Sequence, residues 1–415
     1  MHSRHLWTAA ATATLVVVLT GCGEGATPMN DAAPGSTSSA TGRLAYFGAL
    51  PNDRSSGALV LDLATGRQVR MGDQQEAWSV AWAGADRLAV VRGHARISGD
   101  GPGELVLVAA DGSDEGTPIG GVADVREVAS SADGQHLAFL GRTETSSNAC
   151  SDPAATERMG LYVAAVDGSG ARRVVDVPTA SRFLALSPDG RTAAVVDMGD
   201  DTVIPQGRDW CNPGESRLVL IDTATGVTRV VAGATAMPGA PRFSPDGNTV
   251  VLDGSDSGYP DRDVVLVDVA SAQATRLSTP DVVEANPVFS PDGRSLAVLR
   301  HRAGQDPGAT ATIAVGAADG SGLRDVATTG TEDYGLAWMS DGSHLVVAGA
   351  VVTMACDDDD GRDGGVVGLA APAGGCDVAT ATTDLRVVPA SGGELRQVSD
   401  TVTGFDAGLA AAPLV

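Results

Sequence analysis

The sequence predicts an all-β fold, a propeller of four-stranded antiparallel blades, from three observations. One tight turn recurs along the chain, a second hairpin follows each copy, and no segment sustains a helical period. The turn is Ser187-Pro188-Asp189-Gly190, Ser244-Pro245-Asp246-Gly247 and Ser290-Pro291-Asp292-Gly293, with looser copies at Ser131-Ala132-Asp133-Gly134, Met339-Ser340-Asp341-Gly342 and Ala83-Gly84-Ala85-Asp86. Proline presets φ at the second position, the Asp side chain caps the turn, and glycine accepts a positive φ at its end. Short apolar runs such as Thr249-Val250-Val251-Leu252 follow, which makes each turn the bend of a hairpin.

The second hairpin runs from strands such as Leu218-Val219-Leu220-Ile221-Asp222 into Asp/Gly turns. The Asp anchors of the first turn stand at 86, 133, 189, 246, 292 and 341, so the repeat measures 47, 56, 57, 46 and 49 residues. Two hairpins per repeat make one blade. Six first hairpins are visible against seven of the second type, because Leu59-Val60-Leu61-Asp62 precedes the first anchor and Leu385-Arg386-Val387-Val388 follows the last. The expectation is therefore seven blades, with six as the alternative. Residues from Phe405 to Leu414 would supply the strand missing from the N-terminal blade and so close the ring.

The repeated Phe-Ser-Pro-Asp-Gly turn, the Leu-Ala-Val strand and the Leu-Tyr-Val-x-x-x-Asp-Gly hairpin resemble the WD-repeat-like blades of TolB-type propellers. Such blades also occur in bacterial surface lipoproteins and in the propeller domains of prolyl oligopeptidase relatives. The resemblance covers nearly the whole chain after the N-terminus and is strongest from Phe183 to Asp341. It implies a fold and no chemistry.

Composition narrows the function. The 415 residues carry 28 Lys+Arg, all arginine, against 52 Asp+Glu, a net charge of −24. Without lysine there is no P-loop lysine, Schiff base or Ser-Lys dyad. So acidic a chain is a poor match to nucleic acid, whose binding needs a basic surface. Apolar residues make up 43%, enough for a large core.

The N-terminus reads as a targeting segment. Arg4 opens it, Leu6 to Leu19 is apolar or small, and Leu19-Thr20-Gly21-Cys22 resembles a lipobox. The apolar run falls short of the roughly 20 residues a spanning helix needs. The expected organisation is a lipoprotein signal peptide over 1–21, a lipidated Cys22 with a flexible tether to residue 42, and the propeller from 43 to 415. This places the domain outside the cytoplasm, lipid-anchored to a bacterial cell membrane. Four cysteines then remain, Cys150, Cys211, Cys356 and Cys376, and in an oxidising compartment disulfides are the default. Loop placement favours the pairs 150–211 and 356–376.

In a blade the connection between the second and third strands leaves the end opposite the Ser-Pro-Asp-Gly turns. Every long insertion falls there, at 142–159, 198–216, 254–263 and 349–383. This insertion face is the expected binding face, with Trp210, Tyr259, His94 and His301 as candidate contacts. Many of the acidic residues lie in the same loops. Asp357, Asp358, Asp359, Asp360 and Asp363 could ligate Ca²⁺, against the plainer reading of a solvated acidic loop; no other cofactor is expected. No catalytic constellation is legible: Gly254-Ser255-Asp256-Ser257-Gly258 puts Asp256 where a nucleophile elbow needs serine. The expected function is a non-catalytic binding or scaffold module for a protein, peptide or cell-envelope component. The alternative is a propeller enzyme, a hydrolase or lyase, acting at the central channel.

Overall fold

A computed structural model describes residues 42–48, 57–71, 76–93, 103–142, 159–178, 181–197, 216–234, 237–256, 262–277, 279–303, 311–329, 332–356, 376–399 and 410–411. In chain order the strands are β1 (Arg43–Gly48), β2 (Gly57–Asp62) and β3 (Gln68–Arg70); β4 (Glu76–Trp82), β5 (Arg87–Gly93), β6 (Gly103–Ala109) and β7 (Thr117–Pro118); β8 (Asp124–Ser130), β9 (His136–Arg142), β10 (Gly160–Ala165) and β11 (Arg172–Asp176). There follow β12 (Arg182–Leu186), β13 (Thr192–Asp197), β14 (Arg217–Asp222) and β15 (Thr228–Val230); then β16 (Met237–Pro238), β17 (Arg242–Phe243), β18 (Thr249–Ser255), β19 (Asp263–Asp268) and β20 (Gln273–Leu277). The last are β21 (Val282–Phe289), β22 (Ser295–Arg302), β23 (Thr312–Ala317) and β24 (Arg324–Thr328), then β25 (Glu332–Trp338), β26 (His344–Cys356), β27 (Cys376–Pro389) and β28 (Arg396–Ser399), and β29 (Ala410–Ala411).

These strands form seven antiparallel sheets, each a blade of four successive strand positions. In blade 5 the innermost position is split between β16 and β17, both paired with β18. Blade 1 is completed from the other end of the chain, as the hairpin count predicts: β29 pairs with β1 through Leu44–Ala411 and Ala45–Ala410. The seven-blade expectation holds.

Alternation along each strand explains why the sheets stack in a ring. Successive side chains point to opposite faces, and in the second and third strands of a blade both faces are apolar. Val250 and Leu252 of β18 pack toward blade 4, for example, and Val251 packs toward blade 6. The buried apolar residues accordingly fall into seven clusters, one at each blade boundary. Each Val or Leu so buried contributes about 1.5–3 kcal/mol relative to exposure.

The repeated turn locks the strands at one end. Ser131, Ser187, Ser244 and Ser290 each accept the backbone N–H five residues on at 2.9–3.0 Å. Their hydroxyls donate to Asp133, Asp189, Asp246 and Asp292 at 2.5–2.7 Å. Neighbouring turns also stack: a methyl at Gly247 would lie 3.4 Å from the Pro188 ring, and one at Gly293 3.5 Å from Pro245. The motif thus builds the hairpin and docks it on the preceding blade. Trp82 and Trp338, at the ends of inner strands, are buried between blades, with Trp338 Nε1 donating to the Val288 carbonyl at 3.1 Å.

The turn network predicts an acid response. The Ser244 hydroxyl and the Asn248 N–H hold the Asp246 carboxyl below its ordinary range, and Ser290 and Arg294 N–H do the same at Asp292. A carboxyl whose folded pKa is depressed adds stability above its unfolded value of about 3.9, and loses it as pH falls through the folded value. Ser244→Ala removes buried hydrogen bonds and is expected to cost about 1–2 kcal/mol near neutral pH. It should also flatten the fall of the thermal midpoint below about pH 4. Equal acid slopes for the two proteins would contradict this role.

Candidate functional site

Strand direction separates two ends of the ring. Both hairpin turns of blades 2 to 7 and the single one of blade 1 lie at one end, while the connections between second and third strands leave the other. Three connections there are long, with 143–158, 198–215 and 357–375 outside the described residues; the fourth expected insertion, at 254–263, is not one, since only seven residues separate β18 from β19, fewer than separate β5 from β6 or β22 from β23. In blade 7 part of the expected insertion is regular: β26 and β27 continue beyond the blade as a paired ribbon with Cys356 directly opposite Cys376. Asp357, Asp358, Asp359, Asp360 and Asp363 lie outside the described residues, as do Cys22, Cys150, Cys211, Trp210, Tyr259 and His94. His301 is described. It sits in β22 opposite Val283, half-buried on the face toward blade 7, and burial pushes its pKa down.

Acidic residues are not confined to the insertion end. Asp62, Asp111, Asp167, Asp222, Asp268 and Asp319 cap the outer hairpins, and the Asp anchors cap the inner ones, all at the turn end. The negative charge is shared between the two ends. A groove of about 540 Å³ also lies at the turn end, between blades 6 and 7. Its carboxylates, Asp292 and Asp341, are engaged in their own turns.

A different feature marks the insertion end. Among the described residues the boundary between blades 5 and 6 holds five buried apolar residues, against ten to thirteen in each of the other clusters. Partly buried Leu266, Leu277, Phe289 and Leu323 pack against it, and charged side chains share its faces. Arg242, Asp253 and Arg262 share the face of Val251 and Val264, while Glu284 and Arg300 share that of Leu296 and Val298. Arg300 donates to Glu284 at 2.6 Å and reaches Asp325 at 3.5 Å; Arg262 lies 3.1 Å from Asp253. Gly239 makes room, since a methyl there would stand 2.0 Å from Asp253 Oδ1. A second charged group lies in blade 3, where Arg142 bonds Asp124 at 2.7 Å with both side chains no more than 3% exposed. Arg126 approaches the same carboxylate at 3.1 Å.

Bulges on the inner strands tie these groups to the ring axis. The register shifts within β4, β8, β12, β21 and β25, which frees backbone N–H groups from the ladder. Neighbouring blades take them up. Val128 N–H donates to Ser79 Oγ at 3.0 Å, Phe183 and Leu184 N–H to Glu127 at 3.0 and 2.8 Å, and Asn286 N–H to Asp253 at 3.3 Å. Phe183 and Asn286 have φ of 57° and 51°, a region disfavoured for residues other than glycine. Among the described residues no group of three or more His, Cys, Asp or Glu is placed to hold a metal ion.

Residues 152–353 match the family model of the TolB beta propeller domain. The propeller is TolB-like. No curated protein matches the chain in sequence. The structure of TolB from Acinetobacter baumannii is similar, with 14% identity, TM-score 0.49, and 90% of this chain and 67% of that one covered. An oligogalacturonate lyase in complex with manganese gives 15% identity and TM-score 0.52 over 74% of this chain and 82% of that one. A Mycobacterium tuberculosis puromycin-hydrolyzing peptidase gives 15% and 0.53 over 86% of this chain and 53% of that one, so this chain spans about half its length. At such identities the likeness is one of fold, and the chemistry of the TolB-like propeller rests on its own residues.

The buried pair at the 5–6 boundary makes a measurable prediction. Glu284 is 2% exposed, so Arg300→Met leaves a buried carboxylate without its charge partner. The expected loss is about 3 kcal/mol in chemical denaturation. Replacing both residues, Arg300→Met with Glu284→Leu, should recover most of it. A double variant as unstable as the single one would mean that packing, not charge, is what Arg300 supplies.

Proposed function

We propose that this TolB-like propeller is a membrane-anchored extracytoplasmic lipoprotein that binds a protein, peptide or cell-envelope component through its insertion end without catalysing a reaction. The observation that carries this reading is that the three long connections leave the same end of a ring whose other end carries short, hydrogen-bonded turns. A rigid scaffold with irregular segments grouped at one end is the common arrangement of a recognition surface. Acidic residues in the 357–375 connection favour a basic partner. The basic, apolar and Cys22-bearing start of the chain supports lipidation and a place outside the cytoplasm.

Quantitative pull-down from solubilised envelope fractions tests the surface. Exchanging 198–215 and 357–375 for short turns leaves every described strand in place and is expected to abolish capture. Undiminished capture would refute the assignment of the face.

The ribbon of blade 7 supports a disulfide between Cys356 and Cys376, since antiparallel partners directly opposite have Cα atoms about 4.5–5.5 Å apart, within disulfide range. Cys150 and Cys211 then pair with each other. Peptide mapping without reductant on protein secreted by an oxidising host should recover both bonds. A peptide joining Cys150 to Cys356 or Cys376 would reject the scheme.

A further inference from the structure

The groove between blades 6 and 7 at the turn end brings charged and apolar groups together. Trp338 and Val315, both buried in the cluster between these blades, line it together with Pro291 and Ala390. Strand order gives the groove a direction. Asp292 and Asp341 belong to the inner turns, near the axis, whereas Arg324 begins β24, the outermost strand of blade 6. Arg324 donates to the Ser391 carbonyl at 3.3 Å and so bridges the two blades at the outer end. The inner turns are packed more loosely here: a methyl at Gly342 would lie 3.8 Å from the Pro291 ring, against 3.4 and 3.5 Å at the two preceding boundaries. At about 540 Å³ the groove falls within the roughly 300–1,000 Å³ of sites that take a small ligand.

The two carboxylates of the groove differ from the other anchors of the repeated turn. At those four a basic or amide side chain stands against the carboxylate: Arg43 at Asp86, 3.3 Å; His136 at Asp133, 3.6 Å; Arg191 at Asp189, 3.7 Å; and Asn248 at Asp246, 2.9 Å. Asp292 takes its hydrogen bonds on Oδ1 alone, from the Ser290 hydroxyl and Arg294 N–H. Asp341 does the same with the hydroxyl and N–H of Ser343. Among the described residues no donor reaches Oδ2 of either. Arg294 acts on Asp292 through its charge but forms no ion pair with it. The groove thus offers two unmatched oxygens at its inner end, apolar surface along its length and a guanidinium at its outer end. Charge complementarity selects the occupant. A lysine or arginine side chain lays an apolar stem on apolar surface while its charged head reaches a polar group, and the indole of a tryptophan adds attraction for a cation. Arg324 would meet the backbone carbonyls of the same segment.

We propose that the groove between blades 6 and 7 docks a basic peptide segment, with a lysine or arginine side chain lying along Trp338 and its charged head between Asp292 and Asp341. A net charge of −24 draws such a ligand toward the ring, and the groove decides where it stops. The site lies at the end opposite the long connections, so it goes beyond the recognition surface proposed above and does not depend on what that surface binds.

Calorimetry and thermal unfolding with trilysine, and with triglutamate at the same ionic strength, test the assignment. Trilysine should bind saturably and raise the midpoint; triglutamate should do neither. Asp292→Asn and Asp341→Asn keep the Oδ1 acceptor of each turn and lose only the charge. Each should weaken trilysine about threefold, the scale of an exposed ion pair, and the double variant about tenfold. Asp189→Asn removes the same charge from the same end, beside Arg191, and should leave trilysine binding unchanged. Ala390→Phe keeps every charge and fills the groove, so it should remove binding; its midpoint without peptide shows whether it folds. Protein with 198–215 and 357–375 exchanged for short turns should bind trilysine as the parent does, so failure of the loop reading and failure of this one are separable. The site is overturned by the absence of saturable trilysine binding, by its loss in the loop-exchanged protein, or by full binding in the double variant. Equal weakening in Asp189→Asn and Asp341→Asn, or unchanged binding in a folded Ala390→Phe, overturns it as well.

Discussion

The whole structure depends on strands that bury both of their faces. An ordinary antiparallel sheet can leave one face to water, but the middle strands of these blades are apolar on each side and must find cover twice. A ring is the arrangement that gives every sheet two neighbours and leaves none at an end. The seven apolar clusters are this constraint seen at seven boundaries. The Ser-Pro-Asp-Gly turns act on the same problem locally. They fix the register of each hairpin, because a slip of one residue would exchange the two faces.

Against that regularity, the boundary between blades 5 and 6 is where the chain gives up apolar contact for charge. Asp253 joins three functions there: it pairs with Arg262, receives the N–H of a bulged residue from the next blade, and lies near Arg242. Its neighbour Gly239 has no side chain because the carboxylate occupies that volume. Buried charge of this kind adds little net stability compared with well-packed apolar residues. Its value is geometric, since it sets how two blades meet at the end where the connections are long.

The fold was legible in the sequence because its determinants are local. The Asp anchors recur, the turn residues have fixed conformational meanings, and the surplus of outer hairpins over inner ones pointed to closure by a C-terminal strand, found as β29. The ribbon of blade 7 was harder to see: Val351-Val352-Thr353-Met354 reads as strand, but nothing in the repeat says a blade should continue past its neighbours. The charges between blades 5 and 6 were not legible at all. Arg242 stands four residues before Asp246, where other repeats have Ala129, Ala185, Val288 and Ala337, so the repeat itself announces an apolar residue there. Bulges on the inner strands shift the alternation, and the split of β16 from β17 shifts it again. Periodicity can be read only where register is unbroken.

Closure through β29 also orders events in time. Blade 1 takes its second, third and fourth strands from the first residues of the fold to be synthesised, and its innermost strand from residues 410–411. The contact joins positions separated by almost the entire propeller, the kind of pairing that slows folding most because the intervening chain must already be arranged. Until then β1 presents an unpaired edge and its apolar faces lack one of their neighbours. During synthesis the N-terminal blade is therefore the first part of the propeller made and the last part finished, and for that interval it is the segment most in need of protection from association with other chains.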